Sequence, residues 1–222
     1  MSDWYTGGYD EKEEVKQGSN RVYRFYLPKP SKRKVTTEIT IVDGATLELA
    51  GSDGKNRKIA APFMVREHQF RIDGDWKNWF TCISRGGDCA PCQKGNGSYQ
   101  IAVYTIIDHT EWEDRSGNLH KDEVKLLCVK TSTTTFRALE KRAKRAKKNG
   151  LRGVKFEVER SSDRSVNVGD LYEYVDTVDL PEDLKPFNYL ELFAPKTSEE
   201  LASIWRSSDD APVEAGDEAI PF

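Results

Sequence analysis

The sequence has no long hydrophobic run. None of its apolar segments approaches the length of about 18 residues that a membrane-spanning helix requires. It begins Met-Ser-Asp-Trp, without the basic region and apolar stretch of a secretory signal. We therefore expect a cytoplasmic protein with no membrane partner. In that reducing compartment, clustered cysteines indicate a metal site more than disulfides.

The sequence also has little net charge, with a formal value of −3 at pH 7. The charges are distributed unevenly, because residues 207–222 contain five acids and no Lys or Arg. The rest of the chain has 34 basic and 32 acidic residues. This distribution predicts a slightly basic body followed by an acidic, disordered tail over residues 207–222.

Most of the chain consists of short segments rich in β-branched and aromatic residues, separated by turns that contain Gly, Pro, Asp or Asn. Clear examples are Val22–Leu27, Val35–Val42 and Tyr99–Asp108. The pattern changes at Thr134–Asn149, which lacks Gly and Pro, is dense in Ala, Lys and Arg, and is followed by Gly150. This segment predicts one central basic helix.

Short strands with frequent turns and one central helix predict a mainly β (α+β) protein. We expect an OB-fold-type barrel over residues 21–206, although the pattern also suits an SH3-like barrel or a β-sandwich. Residues 1–20 have too little apolar content to fold alone, so they form either an N-terminal arm or a frayed terminus. A short helix is predicted at Ser198–Trp205, with Ser198 as its cap.

Three of the four cysteines lie within eleven residues, in a loop rich in Gly and Pro. Cys89 and Cys92 are separated by two residues, which lets both thiolates reach one zinc ion. Cys82 precedes them by a short gap. A closed tetrahedral site needs a fourth ligand, and the candidates are His68, His109 and Cys128. We favour His68 and keep Cys128 in reserve, because Cys128 has apolar neighbours in a predicted strand.

The cysteine cluster therefore predicts a structural Zn²⁺ held by His68, Cys82, Cys89 and Cys92, in a zinc subdomain over about residues 62–97. Two alternatives are buried thiols and a redox dithiol. Redox Cys-x-x-Cys motifs start a helix in a βαβ unit, and the sequence has no such unit. Four protein ligands leave no open position for catalysis.

Cations and aromatic rings alternate along several predicted strands. A protein that binds a single strand without reading its sequence needs cations for the phosphates and ring faces for the bases. The alternative is that these rings fill the core, and only alternate strand residues share a face. The candidates for contact with DNA are Arg21, Tyr23, Arg24, Tyr26, Lys32, Arg33, Lys34, Arg66, Arg71, Trp76, Lys77, Trp79, Arg85, Tyr99 and Tyr104.

The predicted helix adds a second group of cations near its end. With few compensating acids, these cations would repel one another unless a polyanion lies nearby. The alternative is a solvated helix face. The candidates for contact with DNA on this helix are Lys141, Lys144, Arg145 and Lys148.

The last residues combine acids with an apolar tip. Acids can hold such a tail against the basic body until DNA displaces it, which frees the tip for a pocket on a partner. The residues assigned to partner binding are Asp217, Glu218, Ile220, Pro221 and Phe222. This tip resembles the acidic Asp-Asp-Ile-Pro-Phe end of bacterial single-stranded DNA-binding proteins.

The middle of the chain resembles the single-stranded DNA-binding proteins of tailed bacteriophages, of the zinc-containing helix-destabilising type. That type uses one His and three Cys, with the His roughly a dozen residues before the first Cys and a two-residue final spacer. His68, Cys82, Cys89 and Cys92 match this order and the outer spacings. The gap between Cys82 and Cys89 is shorter here. The resemblance covers about residues 20–175 loosely, together with the last six residues.

The resemblance implies an OB-fold core that coats single-stranded DNA without sequence preference and associates with itself on DNA. It implies roles in phage DNA replication, recombination and repair, within the host cell cytoplasm. Replication or recombination proteins would be recruited by the tail. These expectations describe a protein that is not an enzyme.

Two other functions fit parts of the sequence. An RNA-binding protein or a zinc-ribbon transcription regulator would use the same rings and the same metal site. A nuclease would need carboxylates grouped on a metal, and the set formed by Asp108, His109 and Asp114 is more typical of turns.

Overall fold

The structure is a computed structural model that describes residues 22–30, 34–51, 54–84, 88–114, 116–146 and 149–209. The chain divides into two compact units. The first unit contains the chain up to Arg66 and Tyr99–Ala194, and the second contains Glu67–Ser98 and the chain from Pro195 onward. The arm predicted for residues 1–20 and the tail from residue 210 lie outside the described residues.

Strands dominate the described residues, which confirms the prediction of a mainly β protein. The strands are β1 (Val35–Ile41), β2 (Thr46–Ala50), β3 (Asn56–Ala60), β4 (Phe63–Ile72), β5 (Asp75–Thr81), β6 (Tyr99–Asp108), β7 (Trp112–Glu113), β8 (Leu119–His120), β9 (Glu123–Lys130), β10 (Val154–Arg160) and β11 (Leu171–Thr177). The helices are α1 (Ala90–Gln93), α2 (Thr134–Ala146), α3 (Tyr189–Leu192) and α4 (Ser198–Arg206).

The first unit is built on an antiparallel sheet. Its strands follow the order β11-β10-β1-β6-β4, and β9 also pairs with β6. The strands β2 and β3 form a separate antiparallel pair. Within the part of the chain that the structure describes, the strands do not close into a barrel. The OB-type barrel therefore stays a prediction.

Strand β6 runs between two apolar clusters of the first unit. Ala102 and Tyr104 belong to one cluster, whereas Ile101 and Val103 belong to the other. Successive side chains of a strand point to opposite faces, so a strand buried on both faces must be apolar at every position. This explains why the segment is the most continuous apolar strand in the sequence.

The predicted basic helix is confirmed as α2. Leu139 is fully buried in the first cluster, and Phe136 and Ala143 pack against it. The chain then turns at Gly150, whose φ of +60° suits glycine. A Cβ atom there would lie 2.5 Å from the backbone nitrogen of Ala45. This position therefore requires glycine, and it lets the chain after α2 pass close to the segment between β1 and β2.

A buried chain of hydrogen bonds ties the segment before α3 to the sheet. The Phe187 amide donates to the Thr105 hydroxyl (3.0 Å), which lies 2.7 Å from the Tyr189 hydroxyl. Tyr189 in turn donates to Asp43 over 2.9 Å. Because the proton of Tyr189 goes to Asp43, Thr105 donates to Tyr189. Burial raises the pKa of Asp43 to about 7, although Tyr189 opposes the shift.

We predict that Asp43→Asn removes part of the pH dependence of folding. A carboxyl group with a pKa of 3.8 when unfolded and about 7 when folded binds its proton more tightly in the folded state. Its contribution to stability is complete below the unfolded pKa and is lost as the pH rises through the folded pKa. A shift of this size corresponds to on the order of 4 kcal/mol.

The measurement is urea unfolding at roughly pH 5 and pH 8. We expect wild type to lose more stability between these pH values than Asp43→Asn does. Other titrating groups, including the thiols, act equally in both proteins and cancel in the comparison. Equal losses would contradict the prediction.

The second unit is built around packed aromatic rings. Phe70 on β4 is fully buried, and its ring centroid lies 5.1 Å from that of Phe80 on β5 and 5.2 Å from that of Trp205 on α4. Helix α4 begins with a capping box, in which Thr197 and Glu200 each bond to the other's backbone. The cap is therefore Thr197, and the prediction of Ser198 was wrong by one residue.

One predicted strand is not formed. In the segment Val22–Leu27, Arg24 makes only an isolated bridge to Leu126, and Phe25 and Leu27 are buried in the core. The apolar residues of this segment fill the core without a regular ladder. None of the helices in the described residues has the length and apolar character needed to cross a membrane.

Candidate functional site

Four side chains of the second unit converge on one point. His68 lies on β4 and is completely buried, and it pairs in register with Phe80, so it lies near the end of β5. Cys82 directly follows β5. Cys89 lies at the N-terminus of α1, and Cys92 lies within that helix. The β4–β5 hairpin and helix α1 therefore bring together the four side chains that we call the metal group: His68, Cys82, Cys89 and Cys92.

The spacing of the metal group fits a tetrahedron. The sulfur of Cys82 lies 3.9 Å from that of Cys89 and 3.6 Å from that of Cys92. Nε2 of His68 lies 3.2 Å and 3.5 Å from the sulfurs of Cys89 and Cys92. A tetrahedral ion with metal–sulfur bonds of about 2.3 Å separates its sulfurs by about 3.8 Å. The four cysteines of the chain are free thiols, as a disulfide would need far shorter contacts.

Asn96 orients the imidazole of His68. Nδ1 of His68 lies 2.9 Å from Oδ1 of Asn96, which accepts the proton on that nitrogen. Nε2, which faces the sulfurs, is then the nitrogen that could bind a metal ion. The backbone amide of Asn96 donates to the Pro91 carbonyl over 2.9 Å, which fixes the loop after α1. Sequence reasoning missed Asn96, because an Asn in a Gly-rich loop is typical of an ordinary turn.

The pKa values of Cys82 and Cys92 shift in opposite directions. Burial and the neighbouring Cys82 and Cys89 raise the pKa of Cys92 to about 11. Burial also raises the pKa of Cys82, but hydrogen bonds with Ser84 and Ser98 outweigh burial and lower it to about 6. One thiolate is therefore favoured near neutral pH. A cation among the sulfurs would favour ionisation of all three, so the group is suited to hold a metal ion.

We predict that Asn96→Ala weakens metal binding without removing a ligand. Loss of the hydrogen bond leaves the His68 ring free to rotate or change tautomer, and such losses lower metal affinity by about 10- to 100-fold. The measurement is competition with a chromogenic chelator. The control is Asn78→Ala, which removes a side-chain amide of the β4–β5 hairpin whose hydrogen bond among the described residues goes to the Asp75 carbonyl. Equal affinities of the two variants would contradict the role of Asn96.

The other two candidates for the fourth ligand have different surroundings. Cys128 lies on β9 and packs against the second apolar cluster of the first unit. The ring nitrogens of His109 face Thr40 and Asp122. Of the three candidates, His68 is the one that the structure places beside Cys82, Cys89 and Cys92.

The rings predicted to contact DNA differ widely in exposure. Trp76 is 50% exposed and Tyr23 is 42% exposed. Tyr26, Trp79 and Tyr99 are half-buried. Lys130 lies 4.0 Å above the ring of Tyr99. Tyr104, in contrast, is only 2% exposed. The exposed and half-buried rings can offer part of a face to a base, whereas Tyr104 belongs to the core.

The predicted cations also have different surroundings. Lys34 pairs with Glu159, Arg71 with Asp209, and Lys144 with Glu140. Arg24 is buried and Arg66 is half-buried. Lys141 and Arg145 are exposed on α2. The residues that lie outside the described part are Arg21, Lys32, Arg33, Arg85, Lys148, Asp217, Glu218, Ile220, Pro221 and Phe222, and only the backbone of Lys77 is described.

Sequence reasoning missed one cation–ring pair of the first unit. The guanidinium of Arg142 lies 3.7 Å from the ring centroid of Tyr174. Tyr174 lies on β11 and is partly exposed. The two residues are far apart in the sequence, so only the packing of α2 beside β11 reveals the pair.

Comparison with family models, curated proteins and solved structures finds no match to this chain. The chemistry of the described residues must therefore indicate what the protein does.

Proposed function

We propose that the metal group binds one structural Zn²⁺. Three thiols and one imidazole form a soft, closed ligand set, which suits zinc better than magnesium or calcium. The sulfur separations of 3.6 and 3.9 Å support the tetrahedral geometry that zinc prefers. All four positions are taken by the protein, so the ion would stabilise the fold and would not bind a substrate.

We predict one zinc ion per chain, and its loss in Cys89→Ser. A serine hydroxyl is a poor zinc ligand, and Cys89 is buried at the centre of the group. The measurement is elemental analysis of purified protein. The matched control is Cys128→Ser, which should keep its zinc because Cys128 lies outside the metal group. Wild type without metal, or loss of zinc in the control, would overturn the assignment.

We propose further that the protein binds single-stranded DNA without sequence preference, in an OB-type fold, as phage single-stranded DNA-binding proteins do. The observation that carries this proposal is the exposed ring of Trp76. Trp76 is half-exposed, so its indole offers a flat apolar face on which an unpaired base can stack. The Trp76 carbonyl accepts a hydrogen bond from Gln69 over 2.6 Å, which holds the backbone beneath the ring.

The exposed cations of α2 support a polyanionic partner. Lys141 and Arg145 are exposed on α2, and Tyr23 offers a second exposed ring. Cations bind phosphates of any sequence, and rings stack on any base. This combination supports a non-catalytic protein that protects single strands during phage replication, recombination and repair, and that associates with itself along them.

The acidic tail is proposed to recruit replication or recombination proteins. The described chain ends at Asp209, whose backbone amide donates to the Arg71 carbonyl over 2.8 Å. The carboxylate of Asp209 also accepts from the Gly74 amide over 2.8 Å. These two bonds fix the point from which residues 210–222 continue, at the β4–β5 turn of the second unit.

We predict that the protein binds single-stranded oligonucleotides more tightly than duplexes, and that Trp76→Ala weakens this binding. Loss of one stacked base costs about 1–3 kcal/mol, which is about a 5- to 150-fold loss of affinity. The measurement is a fluorescence anisotropy titration at several salt concentrations. Affinity should fall as salt rises, because binding releases counterions.

The matched control is Leu119→Ala, which removes an exposed apolar side chain from the β7–β8 hairpin and should bind like wild type. Competition between matched DNA and RNA oligomers separates the proposal from an RNA-binding function. Equal affinity for single strand and duplex would exclude the proposed function. A Trp76→Ala protein that binds like Leu119→Ala would exclude the role of this ring.

A further inference from the structure

Arg142 on helix α2 is held against an aromatic ring of the sheet. Its guanidinium carbon lies 3.7 Å from the ring centroid of Tyr174 on β11. A cation is attracted to a ring face within about 6 Å of the centroid. The Tyr174 hydroxyl lies 3.2 Å from Oγ1 of Thr177 on the same strand. The ring is therefore fixed at both ends, and it holds the guanidinium in one place.

No carboxylate pairs with Arg142 among the described residues, and its contact there is the ring of Tyr174. Its Nε atom is buried and has no hydrogen-bond partner. The two Nη atoms are not buried, and they make no hydrogen bond to a described residue. The side chain therefore turns its Nε edge into the protein and its Nη donors toward solvent, where an anion can reach them.

The carboxylates of β11 lie on the other face of the sheet. Tyr174 pairs in register with Phe156, which is buried in the first cluster, whereas Glu173 pairs with the exposed Glu157. Residues paired in register share a face, and successive residues of a strand alternate between faces. Asp176 pairs with the residue before Phe156 and points the same way as Glu173. Both acids therefore point away from the face on which α2 packs.

Two further cations lie beside Arg142 on α2. Arg145 follows Arg142 by three positions, and Lys141 precedes Arg145 by four, which are the spacings of neighbouring side chains on a helix. Both residues are exposed. The one acid of this helix, Glu140, pairs with Lys144. Like charges at these spacings destabilise a helix, so an anion bound among the three cations would relieve their repulsion.

We propose that Arg142, seated on Tyr174, binds a phosphate group of a bound single strand through its Nη atoms. The proposal rests on the proposed single-stranded DNA binding and names one contact residue and its support. A guanidinium presents paired N–H donors that match two oxygens of a phosphate, and a ring beneath it keeps those donors in one orientation. Tyr174 is accordingly a positioning residue, which acts through Arg142.

A phosphodiester chain suits this site better than an acidic peptide does. Each nucleotide carries its phosphate in the backbone itself, so successive phosphates can contact Arg142, Arg145 and Lys141 together. A carboxylate of an acidic peptide lies at the end of a flexible side chain, whose ordering costs free energy. Tyr174 is also 43% exposed, which leaves apolar surface beside the guanidinium for a sugar or a base.

The first test is modification of the full chain by phenylglyoxal, which reacts with guanidinium groups, followed by peptide mapping. Oligothymidylate should protect Arg142 several-fold, because a bound phosphate covers the Nη atoms that the reagent must reach. The matched control is Arg164, which is exposed in the β10–β11 loop and should react equally with and without the oligonucleotide. This test uses wild type, so its result does not depend on how a variant folds.

The second test is the affinity of Arg142→Gln for the same oligonucleotide at several salt concentrations. Loss of one charge-assisted hydrogen bond should lower affinity by about 10-fold. The slope of log affinity against log salt should decrease by about 0.7, the value for one phosphate of a single strand. The control, Arg164→Gln, removes the same charge and should leave both quantities unchanged.

The third test concerns the ring. Tyr174→Phe keeps a ring beneath the guanidinium and should match wild type in affinity and salt slope, whereas Tyr174→Ala should weaken binding. In the Arg142→Gln background, Tyr174→Ala should cause no further loss, because the ring acts through Arg142. A further loss in that background would overturn the positioning role of Tyr174.

The outcomes separate the two proposals. If wild type does not bind single strands, the proposed function fails and the Arg142 proposal fails with it. If wild type binds single strands that leave Arg142 unprotected, or if Arg142→Gln binds like Arg164→Gln, the Arg142 proposal alone is overturned. Protection of Arg142 by polyglutamate and not by oligothymidylate would overturn it in favour of an acidic peptide.

Discussion

The second unit depends on bringing three thiols and one imidazole within 4.8 Å of one another. Such a group resists full ionisation, because each thiolate that forms disfavours the next. A hairpin, a loop and a four-residue helix hold it together, and the loop has few apolar side chains with which to order itself. A cation at the centre would favour ionisation of all three thiols. The aromatic cluster of Phe70, Phe80 and Trp205 packs beside this centre, since the Phe70 ring centroid lies 5.9 Å from that of His68.

The sequence predicted the parts of this arrangement that depend on residue type and spacing. The two-residue spacer of Cys89 and Cys92 defines a chelating pair, and a His in a preceding strand can return to it through a hairpin. Helix α2 was also predictable, since a segment without Gly or Pro and with an apolar stripe has few other solutions. The orientation of His68 by Asn96 was not predictable, because it depends on how the loop after α1 folds back.

Other differences between the predictions and the structure also arise from tertiary packing. The zinc subdomain predicted over residues 62–97 is close to Glu67–Ser98, but the unit also includes α4, which lies about a hundred residues later. Only the packing of Trp205 on Phe70 reveals that α4 belongs to this unit. The segment at Val22–Leu27 has strand-like composition, yet tertiary packing of Phe25 and Leu27 replaces the ladder. Local sequence cannot distinguish apolar residues that pair in a strand from apolar residues that only fill the core.

Under the proposed function, the aromatic residues divide by their position in the fold. Trp76 lies at the surface, where its face would be open to any unpaired base. Tyr104 is held in the core and would take no part in stacking. Stacking on a ring does not distinguish one base from another, and cations that bind phosphates do not read sequence either. Preference for single strands would then follow from access alone, because paired bases do not expose the face that Trp76 needs.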